Sequence, residues 1–214
     1  MDIKTYWDKR YEKGAIWGRV ACPSVEDAAK IFSKHNIKNV LVSGCGYGRN
    51  AFYLSKEGFN VDAFDISFNA LKTAKTEFQN KENPINYFED DYFDLKLKKK
   101  YKGVYVSNSL HLFLKDKRKK LIECLANLTE KGGILVTTVL SDKDELYKKG
   151  TEVEPDTFVK YSNKPIHFFT KVNITQELGE FFEVFDIKLS ILTEPDPDGN
   201  VTSNTLWLVV AYKK

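Results

Sequence analysis

The sequence predicts an α/β fold built on a doubly wound, seven-stranded sheet that is mostly parallel and ends in an antiparallel C-terminal strand. Three observations carry that expectation. Short apolar runs alternate with helix-periodic segments through the first 140 residues, and short connections between them require a parallel sheet covered on both faces. Phe185, Ile187, Leu189 and Ile191 alternate strictly, whereas Leu206 to Ala211 is one continuous apolar run. Hairpinned together across the turn-forming stretch 194–200, these two segments place an antiparallel strand in the sheet interior.

The elements follow in order. Pro23-Ser24 signals a helix start, with Ser24 as the cap candidate, and Val25, Ala28, Ala29 and Phe32 take the helical spacing. Val40 to Val42 reads as a buried strand ending at glycines. Ala51, Leu54 and Ser55 share one helix face, stopped by Gly58. Val61 to Ile66 is the second strand, Leu71, Ala74 and Phe78 mark the next helix, and Ile85 to Phe88 is the third strand. Val104 to Ser107 forms the fourth. Leu121, Cys124, Leu125 and Leu128 are helical, and Gly132-Gly133 leads into the strand Ile134 to Leu140. Ile174, Leu178, Phe181 and Phe182 face one side of a last helix. Residues 141–169 are the least regular stretch, with the pattern of a substrate-side insertion or lid. All 214 residues read as one domain, preceded by an aromatic N-terminal segment over residues 1–22.

Composition narrows the function. With 42% hydrophobic and 29% charged residues, the chain has the balance of a soluble globular protein. No run reaches the roughly 20 apolar residues of a membrane span, and residues 1–4 lack a signal-peptide core, so a cytoplasmic location is expected. A net charge of +3 does not suit a nucleic-acid binder, and the basic runs 96–102 and 115–120, flanked by acids, read as solvated surface. Cys22, Cys45 and Cys124 have no metal-ligand or redox spacing, so no metal is expected.

The strand-to-helix turn Gly44-Cys45-Gly46-Tyr47-Gly48-Arg49-Asn50 carries the chemistry. Glycines let backbone approach a ligand, and the helix start offers free N–H groups. A dinucleotide fingerprint needs G-x-G-x-x-G, but Arg49 holds the third glycine's place. The observed G-x-G-x-G suits the adenosine and methionine parts of S-adenosylmethionine instead of a pyrophosphate. Asp65, at the end of the next strand, can accept both ribose hydroxyls; the competing reading, a helix cap, is better filled by Ser67.

Residues 44–54, then Gly58 and Val61 to Asp65, resemble class I S-adenosylmethionine-dependent methyltransferases, which have a Rossmann-like fold. Within them the chain is most similar to the bacterial tellurite-resistance and thiopurine or thiol methyltransferase branches. Tyr6 to Tyr11 with Trp17-Gly18 and Pro23-Ser24 resembles the flap ahead of the fold in many small-molecule members. The resemblance implies cofactor contacts at Trp7, Arg10, Tyr11, Trp17, Gly44, Cys45, Gly46, Asn50, Asp65, Ile66, Asp91, Tyr92 and Ser107, with Asp91 on the adenine amino group. Many members carry an acid two places before the first glycine. Here that place is Val42, so backbone at Gly44 and Ser107 and the Arg10 side chain are expected to hold the methionine end.

Methyl transfer is an in-line displacement that needs positioning and exclusion of water; soft thiol or chalcogen nucleophiles need no strong base, unlike amines and hydroxyls. His111 follows the fourth strand and is the candidate base or substrate contact, against the alternative of a packed ring between Leu110 and Leu112. The favoured activity is methylation of a small thiol or chalcogen acceptor, and O- or N-methylation is the alternative. A nucleic-acid methyltransferase is disfavoured because Ser107-Asn108-Ser109-Leu110 replaces the Pro-Pro segment of the amino-methylating DNA enzymes. A non-catalytic cofactor-binding protein on the same fold is a rival of another class. A monomer or weak homodimer is expected.

Overall fold

A computed structural model describes residues 2–159, 164–196 and 198–214. Parts of the stretch read as an insertion (160–163) and of the 194–200 turn (197) lie outside the described residues.

The element order is α1 (Ile3–Arg10), α2 (Pro23–Lys34), β1 (Asn39–Ser43), α3 (Arg49–Lys56), β2 (Asn60–Asp65), α4 (Phe68–Glu77), β3 (Asn86–Glu89) and β4 (Tyr101–Ser107). It continues with α5 (Lys115–Leu128), β5 (Thr129–Leu140), β6 (Thr151–Glu154), β7 (Thr157–Val159), β8 (Pro165–His167), α6 (Lys171–Leu178), β9 (Phe182–Pro195) and β10 (Val201–Lys213). Seven strands form one sheet in the order β3-β2-β1-β4-β5-β10-β9. β1 to β5 pair in parallel, and β10 is antiparallel to both β5 and β9. The fully apolar run therefore lies inside and the alternating one at the edge, as the sequence requires.

Period-two alternation divides the core. Val40 and Val42 face α2, α3 and α4 through Val25, Phe32, Ala51, Leu54 and Ala74. Leu41 points to the opposite layer, where Leu121, Leu125 and Leu128 of α5 meet Ile174 and Leu178 of α6. A smaller cluster sets Phe158 and Phe168 against Cys22, Leu140, Leu192 and Leu206, and so fastens the three-stranded antiparallel sheet β6-β7-β8 over the sheet's carboxyl end.

Several local expectations are corrected. Cys22, not Ser24, is the N-cap of α2; Pro23 takes the first helical position, and the Ser24 hydroxyl bonds the Tyr105 hydroxyl at 2.7 Å. Phe182 begins β9 instead of continuing the last helix, which ends at Leu178 just before Gly179. Arg118, counted within a solvated basic run, is 2% exposed: it donates to both carboxylate oxygens of Glu177 and to the Phe113 carbonyl. Among the described residues no helix is long and apolar enough to cross a membrane.

Candidate active site

Strand register alone assembles the site. Ser43 lies level with Phe64 on β2 and Val106 on β4, so the next residues along, Gly44, Asp65 and Ser107, emerge side by side. Asp65 in turn pairs with Glu89, which puts Asp90 and Asp91 just beyond β3. The chain leaves β1 toward β2 and β3, then crosses to β4 on the other side. The crevice outside such a reversal is where open α/β sheets take their ligands. A cavity of about 410 Å³ occupies it, lined by all fourteen residues named above as site candidates, together with Val42, Arg49, Asn108, Leu140, Ile166 and Glu194.

The glycine turn is shaped by its neighbours. Gly44, Gly46 and Gly48 have φ of 63°, 55° and 89°, a region that side-chain-bearing residues avoid. A Cβ on Gly44 would stand 2.5 Å from the Tyr92 hydroxyl, and one on Gly46 would stand 2.9 Å from the Tyr11 hydroxyl. The turn is thus a cradle with two tyrosine hydroxyls against it. The buried Tyr92 hydroxyl and Ser43 Oγ have no hydrogen-bond partner among the described residues, although buried polar atoms ordinarily find one. The carboxylates of Asp65 and Asp91, which line the same cavity, fit a ligand rich in hydroxyl and amino groups.

Asp65 is 8% exposed. Its Oδ2 accepts the Gly46 N–H at 2.8 Å and its Oδ1 the Ser67 N–H at 2.9 Å, which leaves a lone pair on each oxygen for a diol. Burial pushes its carboxyl up to about 6 despite those two bonds. Ser67 caps α4 by accepting the Ala70 N–H, as expected. Asp90 accepts the N–H groups of Asp91, Lys96 and Leu97 and so holds the loop after β3; Asp91 stays at the cavity, where its side chain accepts the Phe93 N–H.

The N-terminal segment covers this end. Trp7 stacks on Tyr11 at 5.8 Å, Trp17 meets Tyr11 edge-on at 5.6 Å, and the Arg10 guanidinium lies 5.4 Å from the Trp17 ring centre. Asp8 fixes the segment to α4 by accepting the Ser67 hydroxyl at 2.7 Å and the Asn69 N–H at 3.3 Å. The Tyr47 hydroxyl donates to the Gly18 carbonyl.

Two residues take on tasks that the sequence did not reveal. Arg49 donates to the Trp17 and Val20 carbonyls, to the Cys22 sulfur and to Glu194, tying the aromatic segment to β9. Asn50 lines the cavity, but its Oδ1 accepts the Cys22 N–H, so that oxygen holds the start of α2. Arg49 and Glu194 are 145 residues apart, and no local spacing signals such a pair.

At the end of β4, the Ser107 and Thr138 hydroxyls bond at 3.0 Å, and Asn108 has a left-handed backbone, φ 55°. His111, the candidate base or substrate contact, lines the cavity as a buried ring. The ring is 6% exposed, its Nδ1 accepts the Leu140 N–H at 3.3 Å, and burial holds its pKa near about 3. A nitrogen that accepts from an amide carries no proton, so the proton of the neutral ring sits on Nε2. His167 is buried beside Thr157, with Nδ1 2.8 Å from the hydroxyl.

Residues 40–133 match the family profile described as "Methyltransferase domain". The chain is 32% identical over 142 residues to the "Probable S-adenosyl-L-methionine-dependent methyltransferase TehB" of Haemophilus influenzae, an alignment that covers 65% of this chain and 46% of the relative. The chain thus spans about half the length of that relative. The TehB crystal structure from Haemophilus influenzae superposes with a TM-score of 0.65 at 23% identity, over 99% of this chain and 67% of that one. A structure described with the conversion of a disulfide bond into a thioacetal group during echinomycin biosynthesis superposes at 0.77 with 16% identity, over 100% of this chain and 92% of that one.

Proposed function

We propose that this chain is a class I S-adenosylmethionine-dependent methyltransferase that transfers a methyl group from S-adenosylmethionine to a small-molecule acceptor, with a thiol or chalcogen nucleophile favoured. The observation that carries the reading is the convergence of Gly44, Gly46, Asp65, Asp91 and the aromatic segment on one cavity at the β1–β4 reversal.

S-adenosylmethionine supplies a methyl group activated by its sulfonium leaving group. Asp65 accepts the two ribose hydroxyls, and Asp91 accepts the adenine amino group. The glycine turn lets backbone lie against the ligand. Trp7, Tyr11 and Trp17 wall off water and offer ring faces to the sulfonium charge. With Val42 in place of an acid, the methionine end falls to Arg10, which has no carboxylate partner among the described residues, and to backbone at Gly44 and Ser107. Residues 1–22 act as the flap of a single domain that works as a monomer or weak homodimer, and 141–169 as its acceptor-side insertion. A soft nucleophile is favoured because the ring at the end of β4 is a poor base.

Thiols, chalcogen oxyanions, catechols and amines, each incubated with S-adenosylmethionine, test the reading through release of S-adenosylhomocysteine. Release with thiols or chalcogen anions is expected. Release with amines or catechols alone would contradict the preferred acceptor, and release with none would contradict the activity.

A further inference from the structure

The end of β4 presents hydrogen-bond donors to the cavity with their acceptor atoms already consumed. The Thr138 hydroxyl oxygen receives the Asn108 N–H at 3.2 Å and lies 3.0 Å from the Ser107 hydroxyl. The Thr138 hydroxyl donates its one hydrogen to the Asn108 Oδ1 at 3.2 Å, which leaves its lone pairs for the Asn108 N–H and the Ser107 hydroxyl. The amide is thereby oriented, and Nδ2 is the end left for the cavity that Asn108 lines. His111 repeats the arrangement: Nδ1 faces the Leu140 N–H, and Nε2 carries the proton. Among the described residues neither Asn108 Nδ2 nor His111 Nε2 donates to a protein acceptor, and neither is sealed away from the cavity. Asn108 holds its place at a backbone φ of 55°, a conformation that asparagine accepts more readily than most residues.

We infer that Asn108 Nδ2 and His111 Nε2 are the acceptor-specificity groups of this site, and that they bind the nucleophile as an anion already ionised in solution. The inference rests on the methyltransferase reading and deepens it. An ammonium has no lone pair for two N–H groups and a thiol sulfur is only a weak acceptor, whereas an anion receives both bonds strongly. The step then balances without a base. A lone pair of the anion forms the bond to the methyl carbon, the carbon–sulfonium bond breaks, and its electron pair stays on sulfur to give neutral S-adenosylhomocysteine. No proton moves. His167 on β8 is the neighbouring imidazole, and burial also holds its pKa near about 3.

The test is binding of thiophenolate to the S-adenosylhomocysteine complex, read by calorimetry, followed by turnover with S-adenosylmethionine. Wild type is expected to bind thiophenolate and not benzylamine. Asn108→Asp, which turns a donor into an acceptor and keeps the left-handed backbone accessible, is expected to weaken thiophenolate binding about tenfold or more while S-adenosylhomocysteine binds within about twofold of wild type. His111→Gln retains an acceptor for the Leu140 N–H and a donor for the cavity but cannot take a proton; it should keep turnover within a few fold, whereas His111→Phe should lose about tenfold. Overturning results are a complex that ignores thiophenolate, equal binding of benzylamine, or a Gln variant as inactive as Phe. Wild type that fails to bind S-adenosylhomocysteine at all would instead defeat the methyltransferase reading.

Discussion

The two ends of the cavity differ in hydrogen-bond polarity. Beyond β2 and β3, Asp65 and Asp91 offer carboxylate lone pairs, and the backbone N–H groups of Gly46 in the glycine turn and of Ser67 ahead of α4 hold Asp65. Beyond β4 and β5 the acceptor atoms of Asn108 and His111 are used internally, and N–H groups are what remain. One end suits hydroxyls and an amino group, and the other suits lone pairs. On the proposed reading, the same sheet edge holds two different partners in fixed order, with the methyl group between them.

The largest expected effect that breaks this contrast is Asp65→Ala. It removes a buried carboxylate that organises the turn and lines the cavity, and affinity for S-adenosylhomocysteine should fall about 100-fold or more by calorimetry, at two charged hydrogen bonds of about 1.5–3 kcal/mol each. Next comes Arg49→Met. Arg49 and Glu194 are 11% exposed at their side chains, and leaving Glu194 unpaired should cost about 3 kcal/mol, read as a chemical-denaturation midpoint. The double change with Glu194→Leu should recover much of that loss; no recovery would mean that the pair is not what ties the flap to β9.

Gly48→Ala should cost about 1–3 kcal/mol, because φ is 89° and the added carbon would stand 2.5 Å from the Tyr87 hydroxyl. Gly58→Ala shares the positive φ but meets nothing within 4 Å, so it isolates the backbone contribution and should be the milder of the two in thermal melts.

The smallest effect is in pH. Burial raises the Asp65 carboxyl from 3.8 to about 6 in the folded chain, so its contribution to stability is present below 3.8 and is lost as pH rises through about 6. On the proposed reading, ligand binding uses the ionised form and runs the opposite way. Affinity for S-adenosylhomocysteine should drop by about tenfold per pH unit below 6, and Asp65→Asn should flatten that slope.

The Asp65 end of the cavity was legible in the sequence because its signals are local. Glycine spacing, a carboxylate at the next strand's end and Asp91 after β3 all lie within one strand of their structural context. The interior placement of the last strand was legible for the same reason: alternation against a continuous apolar run reports burial on one face or two. The other end was not. The roles of Asn108 and His111 depend on Thr138 and the Leu140 N–H, some thirty positions away and reached only through strand pairing. Arg49 was noticed only as a missing glycine, since its partners come from the flap and from β9. The Ser24 cap failed because a proline at the first helical position moves the cap to the residue before it.

The most direct test of the central claim is a calorimetric titration of the wild-type chain with S-adenosylmethionine and, separately, with NAD at neutral pH. Saturable heat at one site per chain with S-adenosylmethionine, abolished by Asp65→Ala, and none with NAD is the predicted result. Heat with NAD and none with S-adenosylmethionine would contradict the account.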